Sequence, residues 1–161
     1  MAVTAEDHPG RKPPDPHQKA MELLVRREHS RRDLKRKLGL KGADPEAAAA
    51  AVDKLAGLGY QDDNRFAASF ARDRASAGYG PVRIRQELAA HGLDREQVDV
   101  ALDACERDWP ESARNQITRR FRPAELDDPA RRRKAVDFLL RRGFDQDSAW
   151  AAVRHRPEDE D

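Results

Sequence analysis

The 161-residue chain carries 38% charged and 38% apolar residues but only 6% aromatics; its core must rest on Leu, Ile, Val and Ala, and so much charge needs the larger surface of an elongated body. One cysteine excludes an intrachain disulfide, no apolar run nears the roughly 20 residues that span a bilayer, and the N-terminus lacks a hydrophobic signal core, so a soluble cytoplasmic protein is expected. The net charge of +1 is a sum of polarised blocks: residues 18–42 hold nine Lys/Arg against three Asp/Glu and residues 114–142 ten against four, while residues 44–64 hold one against five and 94–111 two against seven, and surface potential follows such local charge.

Residues 1–17 hold Pro9, Pro13, Pro14 and Pro16 without apolar periodicity and read as a disordered lead. A first helix is predicted over Gln18–Glu28, with Ala20, Leu23, Leu24 and Arg27 on one face. Ser30 is placed to cap a second, answered by Asp33; it buries Leu34 and Leu38 and ends at Gly39 or Gly42. Asp44-Pro45-Glu46 opens a third, with Val52, Leu55 and Leu58 facing inward. A second trio starts after Asp62-Asp63, with Phe66 and Phe70 four apart, turns at Gly78-Tyr79-Gly80-Pro81, and continues after Asp94 with Val98, Ala101 and Leu102. A third trio begins at Trp109-Pro110-Glu111 and runs through Ile117 and Phe121. It restarts after Asp128-Pro129 with Val136, Leu139 and Leu140 inward, and closes with Trp150 and Val153 in the core.

The three trios share punctuation. Gly42-Ala43-Asp44, Gly92-Leu93-Asp94 and Gly143-Phe144-Asp145 each place a left-handed glycine at a helix end two residues before a capping aspartate. Without gaps, Leu34, Leu38, Ala48 and Val52 fall on Ile84, Leu88, Val98 and Leu102, and these on Ala135, Leu139, Ala149 and Val153. The reading is an all-α array of three tandem three-helix repeats: a lead over 1–17, repeats over 18–60, 61–108 and 109–156, and an acidic tail over 157–161.

Helix-end electrostatics accounts for Arg141 and Arg142, but not for Arg31, Arg32, Lys35 and Arg36 near the start and middle of a helix. A basic contact surface is therefore predicted from Arg26, Arg27, Arg31, Arg32, Lys35 and Arg36 in the first copy, Arg72, Arg74, Arg83 and Arg85 in the second, and Arg131, Arg132, Arg133 and Lys134 in the third. Arg83 and Arg85 diverge by about 200° around their helix. Phe66 and Phe70 fit base stacking or, better, core packing. Asp62-Asp63 suits capping more than metal ligation. His29 and His91 read as surface residues beside helix ends, and Cys105 as a buried small residue. There is no phosphate loop, zinc spacing, nucleophile motif or cofactor signature, so an enzyme is not expected.

Three runs in order resemble one known family: Arg27-Glu28-His29-Ser30-Arg31-Arg32-Asp33-Leu34-Lys35-Arg36-Lys37-Leu38, then Leu55-Ala56-Gly57-Leu58-Gly59-Tyr60-Gln61-Asp62-Asp63-Asn64-Arg65-Phe66-Ala67, then Gly80-Pro81-Val82-Arg83-Ile84-Arg85-Gln86-Glu87-Leu88. They are similar to the signatures of the RecX family of bacterial recombination regulators. The resemblance covers residues 20–155 and implies an elongated, curved array of three-helix repeats. It implies a protein that binds the RecA recombinase on single-stranded DNA, lodges along the filament groove, and limits ATP hydrolysis, strand exchange and the co-protease activity behind the SOS response; an elongated monomer is the default expectation for such an array. The basic residues would then face RecA or DNA. The alternative is a non-specific DNA-binding helical-repeat protein, although no copy presents a clear set of base-reading side chains.

Overall fold

The computed structural model describes residues 15–160. They are helical, in two compact units that divide between Asp62 and Asp63. The first unit holds α1 (Pro16–Arg26), α2 (Arg31–Leu40) and α3 (Pro45–Gly57). The second holds two further trios: α4 (Asp63–Ser76), α5 (Pro81–Ala90) and α6 (Arg95–Ala104), then α7 (Trp109–Arg120), α8 (Pro129–Arg142) and α9 (Gln146–Arg154).

The repeated punctuation takes the expected form. Gly42, Gly92 and Gly143 sit at φ of 91°, 84° and 97°, where a side chain would strain the backbone. Two residues on, the aspartate carboxylates accept hydrogen bonds from the amides of Ala47 (3.2 Å), Gln97 (2.8 Å) and Ser148 (2.8 Å). At Asp94 the bond is reciprocated: the Gln97 side chain accepts from the Asp94 amide at 3.0 Å.

Each trio closes on its own core. All twelve aligned apolar positions are buried, the most open, Leu102, at 7% exposure. Two neighbours predicted inward are not. Leu58 is 60% exposed, because α3 ends at Gly57 and the chain has left the helix face there. Leu140 is 41% exposed, and Phe138 takes its place, since Ala135, Val136, Phe138 and Leu139 make the inward stripe of α8.

Other differences have local causes. Helix α1 begins at Pro16, because Asp15 caps it by accepting from the His17 amide; this is the cap-proline pair that also opens α3. It stops at Arg26, before the extended Arg27, so the helix predicted over Gln18–Glu28 is displaced towards the N-terminus. The disordered lead predicted over 1–17 therefore does not include residues 15–17, and residues 1–14 lie outside the described residues. Between α7 and α8 a 3-10 turn, Pro123–Asp127, buries Leu126 against the third core. Trp150 and Cys105 are half-buried rather than enclosed.

His29 is the sharpest correction. It is 2% exposed, at the elbow between α1 and α2. Its Nδ1 lies 2.9 Å from the Arg27 carbonyl oxygen, and its own carbonyl accepts from Nε2 of Gln61, also 2% exposed, at 3.2 Å. A residue read as a surface helix end is thus an internal brace of the first unit. His91 is half-buried, its ring centroid 4.7 Å from that of Phe66 and 5.5 Å from that of Phe70.

Within the second unit the two trios are joined by backbone. The Gly80 amide donates to the Arg142 carbonyl (2.8 Å) and the Val82 amide to the Gly143 carbonyl (2.9 Å). Gly80 and Gly143 let the chains come this close. A Cβ at Gly80 would fall 2.5 Å from the Gly143 oxygen, and one at Gly143 would collide with Arg83. Trp109 packs against both cores.

Candidate basic interface

The fourteen predicted cations divide by what already holds them. In the first unit Arg31 of α2 reaches Asp53 of α3, and Asp33 takes Arg36 (2.8 Å) and Lys37 (3.1 Å). Burial works against the Asp33 carboxylate, but the hydrogen bonds from Arg36 and Lys37 outweigh it and hold its pKa below the usual value. Arg26, Arg27, Arg32 and Lys35 lie at the surface.

In the second copy, Arg74 grips Glu87 with two bonds, Nε at 2.7 Å and Nη2 at 2.9 Å, and Arg83 Nε adds a third at 3.0 Å. Glu87 is partly desolvated, which favours its neutral form, yet its two guanidinium partners prevail and lower its pKa. The same arginines cover Tyr79. Arg83, Arg74 and Arg142 place guanidinium carbons 4.4, 4.8 and 4.9 Å from its ring centroid, within cation–π range. Arg83 Nη1 also donates to the Arg141 carbonyl at 3.4 Å, and Arg142 Nη1 to the Ala77 carbonyl at 3.5 Å. Arg83 and Arg142 therefore cross the joint between the trios, and Arg74 braces Glu87 and Tyr79 on the second copy's side of it. Arg85 points away, to Asp99 of α6 at 2.7 Å, and Arg72 is exposed.

In the third copy Arg131, Arg133 and Lys134 are exposed and Arg132 is half-buried. Arg131 and Lys134 line a surface cleft of about 330 Å³ together with Arg120, Arg141 and the rings of Phe121 and Phe138. Glu125 and Asp137 complete its wall, and Glu125 is already met by Arg122 at 3.2 Å. Arg120 stacks 4.7 Å over Phe138.

Sequence reasoning missed Tyr79, Glu87 and Arg142 as a joint and Arg120, Phe121 and Arg141 as a cleft. Arg142 does stand directly before the repeated glycine, but an arginine there reads equally well as a helix end. Nothing in residue spacing tells a cation aimed at a neighbouring repeat from one aimed at water. Among the described residues, no helix is long and apolar enough to cross a membrane, and no group of three or more His, Cys, Asp or Glu is placed to hold a metal ion.

The chain matches three successive family domains: the first three-helix domain of RecX over residues 17–55, the second over 62–102 and the third over 96–153. A regulatory protein RecX of Stenotrophomonas maltophilia is 54% identical over 144 residues, spanning 89% of this chain and 88% of its own length. One from Xanthomonas axonopodis pv. citri is 55% identical over 144 residues, spanning 89% of each. A crystal structure of regulatory protein RecX superposes with a TM-score of 0.66 at 25% identity, covering 83% of this chain and 70% of that one. RecX from Lactobacillus salivarius superposes with a TM-score of 0.69 at 19% identity, covering 86% and 92%, and speaks for the fold alone.

Proposed function

The chain belongs to the RecX family, and from that premise we propose that it is a negative modulator of the RecA recombinase. In this reading it binds RecA filaments on single-stranded DNA along their helical groove. There it limits ATP hydrolysis, strand exchange and co-protease activity, and so regulates DNA repair and the SOS response. It acts by occupancy, without chemistry of its own, as a cytoplasmic monomer. The observation that carries the reading is the succession of three family domains from residue 17 to residue 153. Three small units on one chain suit a polymeric target, since linked weak contacts reinforce one another through effective concentration.

Among the basic residues, Arg26, Arg27, Lys35, Arg72 and Arg133 are exposed and are proposed to touch the filament, with Arg32 and Arg36 beside them. Arg74 and Arg83 are proposed to act indirectly, by holding Glu87 and Tyr79. The test is a titration of RecA-driven, DNA-dependent ATP hydrolysis with the purified full chain. Suppression at less than one molecule per RecA subunit is expected, with strand exchange falling in parallel. Unchanged hydrolysis across a wide titration would overturn the reading.

A further inference from the structure

The second copy leaves open a place where the third carries apolar bulk. Between α5 and α6 lies a surface groove of about 330 Å³, lined by Arg85, Ala89, Leu93, Arg95 and Val98. Leu93 and Val98 belong to the second core and are 6% and 2% exposed, so the groove reaches the edge of that core. Ala89 is exposed and contributes only a methyl group. In the gapless alignment Arg85 falls on Val136, Ala89 on Leu140, Leu93 on Phe144 and Asp99 on Trp150. Val136, Phe144 and Trp150 pack in or against the third core. Their counterparts Arg85 and Asp99 instead pair with each other at 2.7 Å, and Ala89 stands where α8 has a leucine. Leu140 keeps 41% exposure, so a leucine is accommodated at this helical position.

The layout of the groove selects its occupant. The side chains of Ala89, Leu93 and Val98 offer a phosphate nothing, whereas an apolar side chain gains by leaving water to cover them. A cavity of about 150 Å³ admits benzene, so the groove has room for a side chain the size of leucine or phenylalanine. Of its two cations, Arg85 is spent on Asp99. Arg95 is exposed at the first position of α6, at the positive pole of that helix. Asp94 beside it is turned to the Gln97 amide at 2.8 Å, and Glu96 is rotated by about 100° around the helix. The groove thus offers an apolar floor with one uncommitted cation at its wall. That fits a protein segment with a bulky apolar anchor and a carboxylate about one helical turn away, as on the edge of an amphipathic helix.

We infer that the groove between α5 and α6 docks an apolar anchor side chain of the recombinase itself, with a neighbouring acidic residue meeting Arg95. The inference rests on the regulatory reading and adds to it a contact with the protein of the filament rather than with its DNA.

The test is Ala89→Leu, which puts into the groove the side chain that α8 carries at the same position. Two readouts are followed with the full chain: RecA-driven ATP hydrolysis on single-stranded DNA, and fluorescence anisotropy of labelled oligo-dT without RecA. The concentration for half-maximal inhibition is expected to rise about tenfold, as for loss of an interface anchor, with oligo-dT affinity unchanged. Ala89→Ser leaves the groove open and is expected to inhibit as the unsubstituted chain does. Arg95→Glu is expected to weaken inhibition about fivefold; a glutamate suits the first turn of a helix, so the fold is kept. Circular dichroism melting reports whether each variant is folded, and Arg95→Glu decides the matter alone if Ala89→Leu is not. If the unsubstituted chain inhibits RecA and Ala89→Leu inhibits equally well, the inference falls while the regulatory reading stands. It falls too if Ala89→Ser loses as much as Ala89→Leu, or if oligo-dT affinity drops in step with inhibition. If the unsubstituted chain inhibits at no ratio, the regulatory reading falls and takes the inference with it.

Discussion

His29 has exchanged solvent for the interior of the first unit. Burial is the main cause of its lowered pKa, with the cations of Lys37 and Arg27 acting in the same direction; the bond to the Arg27 carbonyl and the Asp33 carboxylate oppose them and lose. The fold therefore favours the neutral ring, and as pH falls below the ordinary value of 6.5 the unfolded chain binds a proton that the folded chain resists. This contribution to stability is full above that pH and is lost on acidification. Urea midpoints of the first unit are expected to fall between pH 7.5 and pH 5.5, and His29→Gln is expected to flatten the change. Asp33 and Glu87, held below their ordinary 3.8 and 4.5, lose their contributions only at still lower pH, so the two windows separate. An unchanged slope in His29→Gln would assign the effect to another group.

At the scale of helices and turns, two glycines with the same conformation allow a clean comparison. Gly42 and Gly143 both have strongly positive φ, but a Cβ at Gly42 meets open space whereas one at Gly143 strikes Arg83. Gly42→Ala should cost about 1–2 kcal/mol, the left-handed strain alone. Gly143→Ala should cost more, because it also forces α5 and α8 apart; equal losses in thermal or urea unfolding would show that the close approach contributes nothing. The shared glycine–aspartate signal was legible in the sequence because capping is local: it depends on residues within three or four positions of one another. The twelve core positions were legible for the same reason, through helical period. Leu58 and Leu140 were misplaced because period alone does not say where a helix ends or how wide its buried stripe is. His29 was misplaced because its partner, Gln61, lies 32 residues away. The joint and the cleft were illegible on the same principle: Tyr79 and Arg142, or Phe121 and Lys134, become neighbours only through packing between helices.

At the scale of the whole molecule, the near-neutral total charge conceals cations with different occupations. Some are spent inside the fold, on Asp33, Asp53, Asp99 and Glu87, and others, such as Arg26, Lys35 and Arg133, are exposed at the surface. In the second unit, the second copy donates two backbone hydrogen bonds to carbonyls of the third, so each is part of the other's support. Leu88→Ala or Leu139→Ala, each truncating a fully buried side chain, should cost about 2–5 kcal/mol. Amide hydrogen exchange is expected to show protection falling in α5 and α8 together for either substitution. Protection lost only in the substituted copy would mean that the joint does not couple them.

Both indoles of the chain, Trp109 and Trp150, belong to the second unit, and Trp109 lies against both of its cores. Tryptophan emission is thus a reporter with a restricted field of view. It registers events between Asp63 and the C-terminus, whereas residues 15–62 hold no indole and Tyr60 as their one phenol, so a dye introduced there would supply a second colour and let the two halves be watched at once.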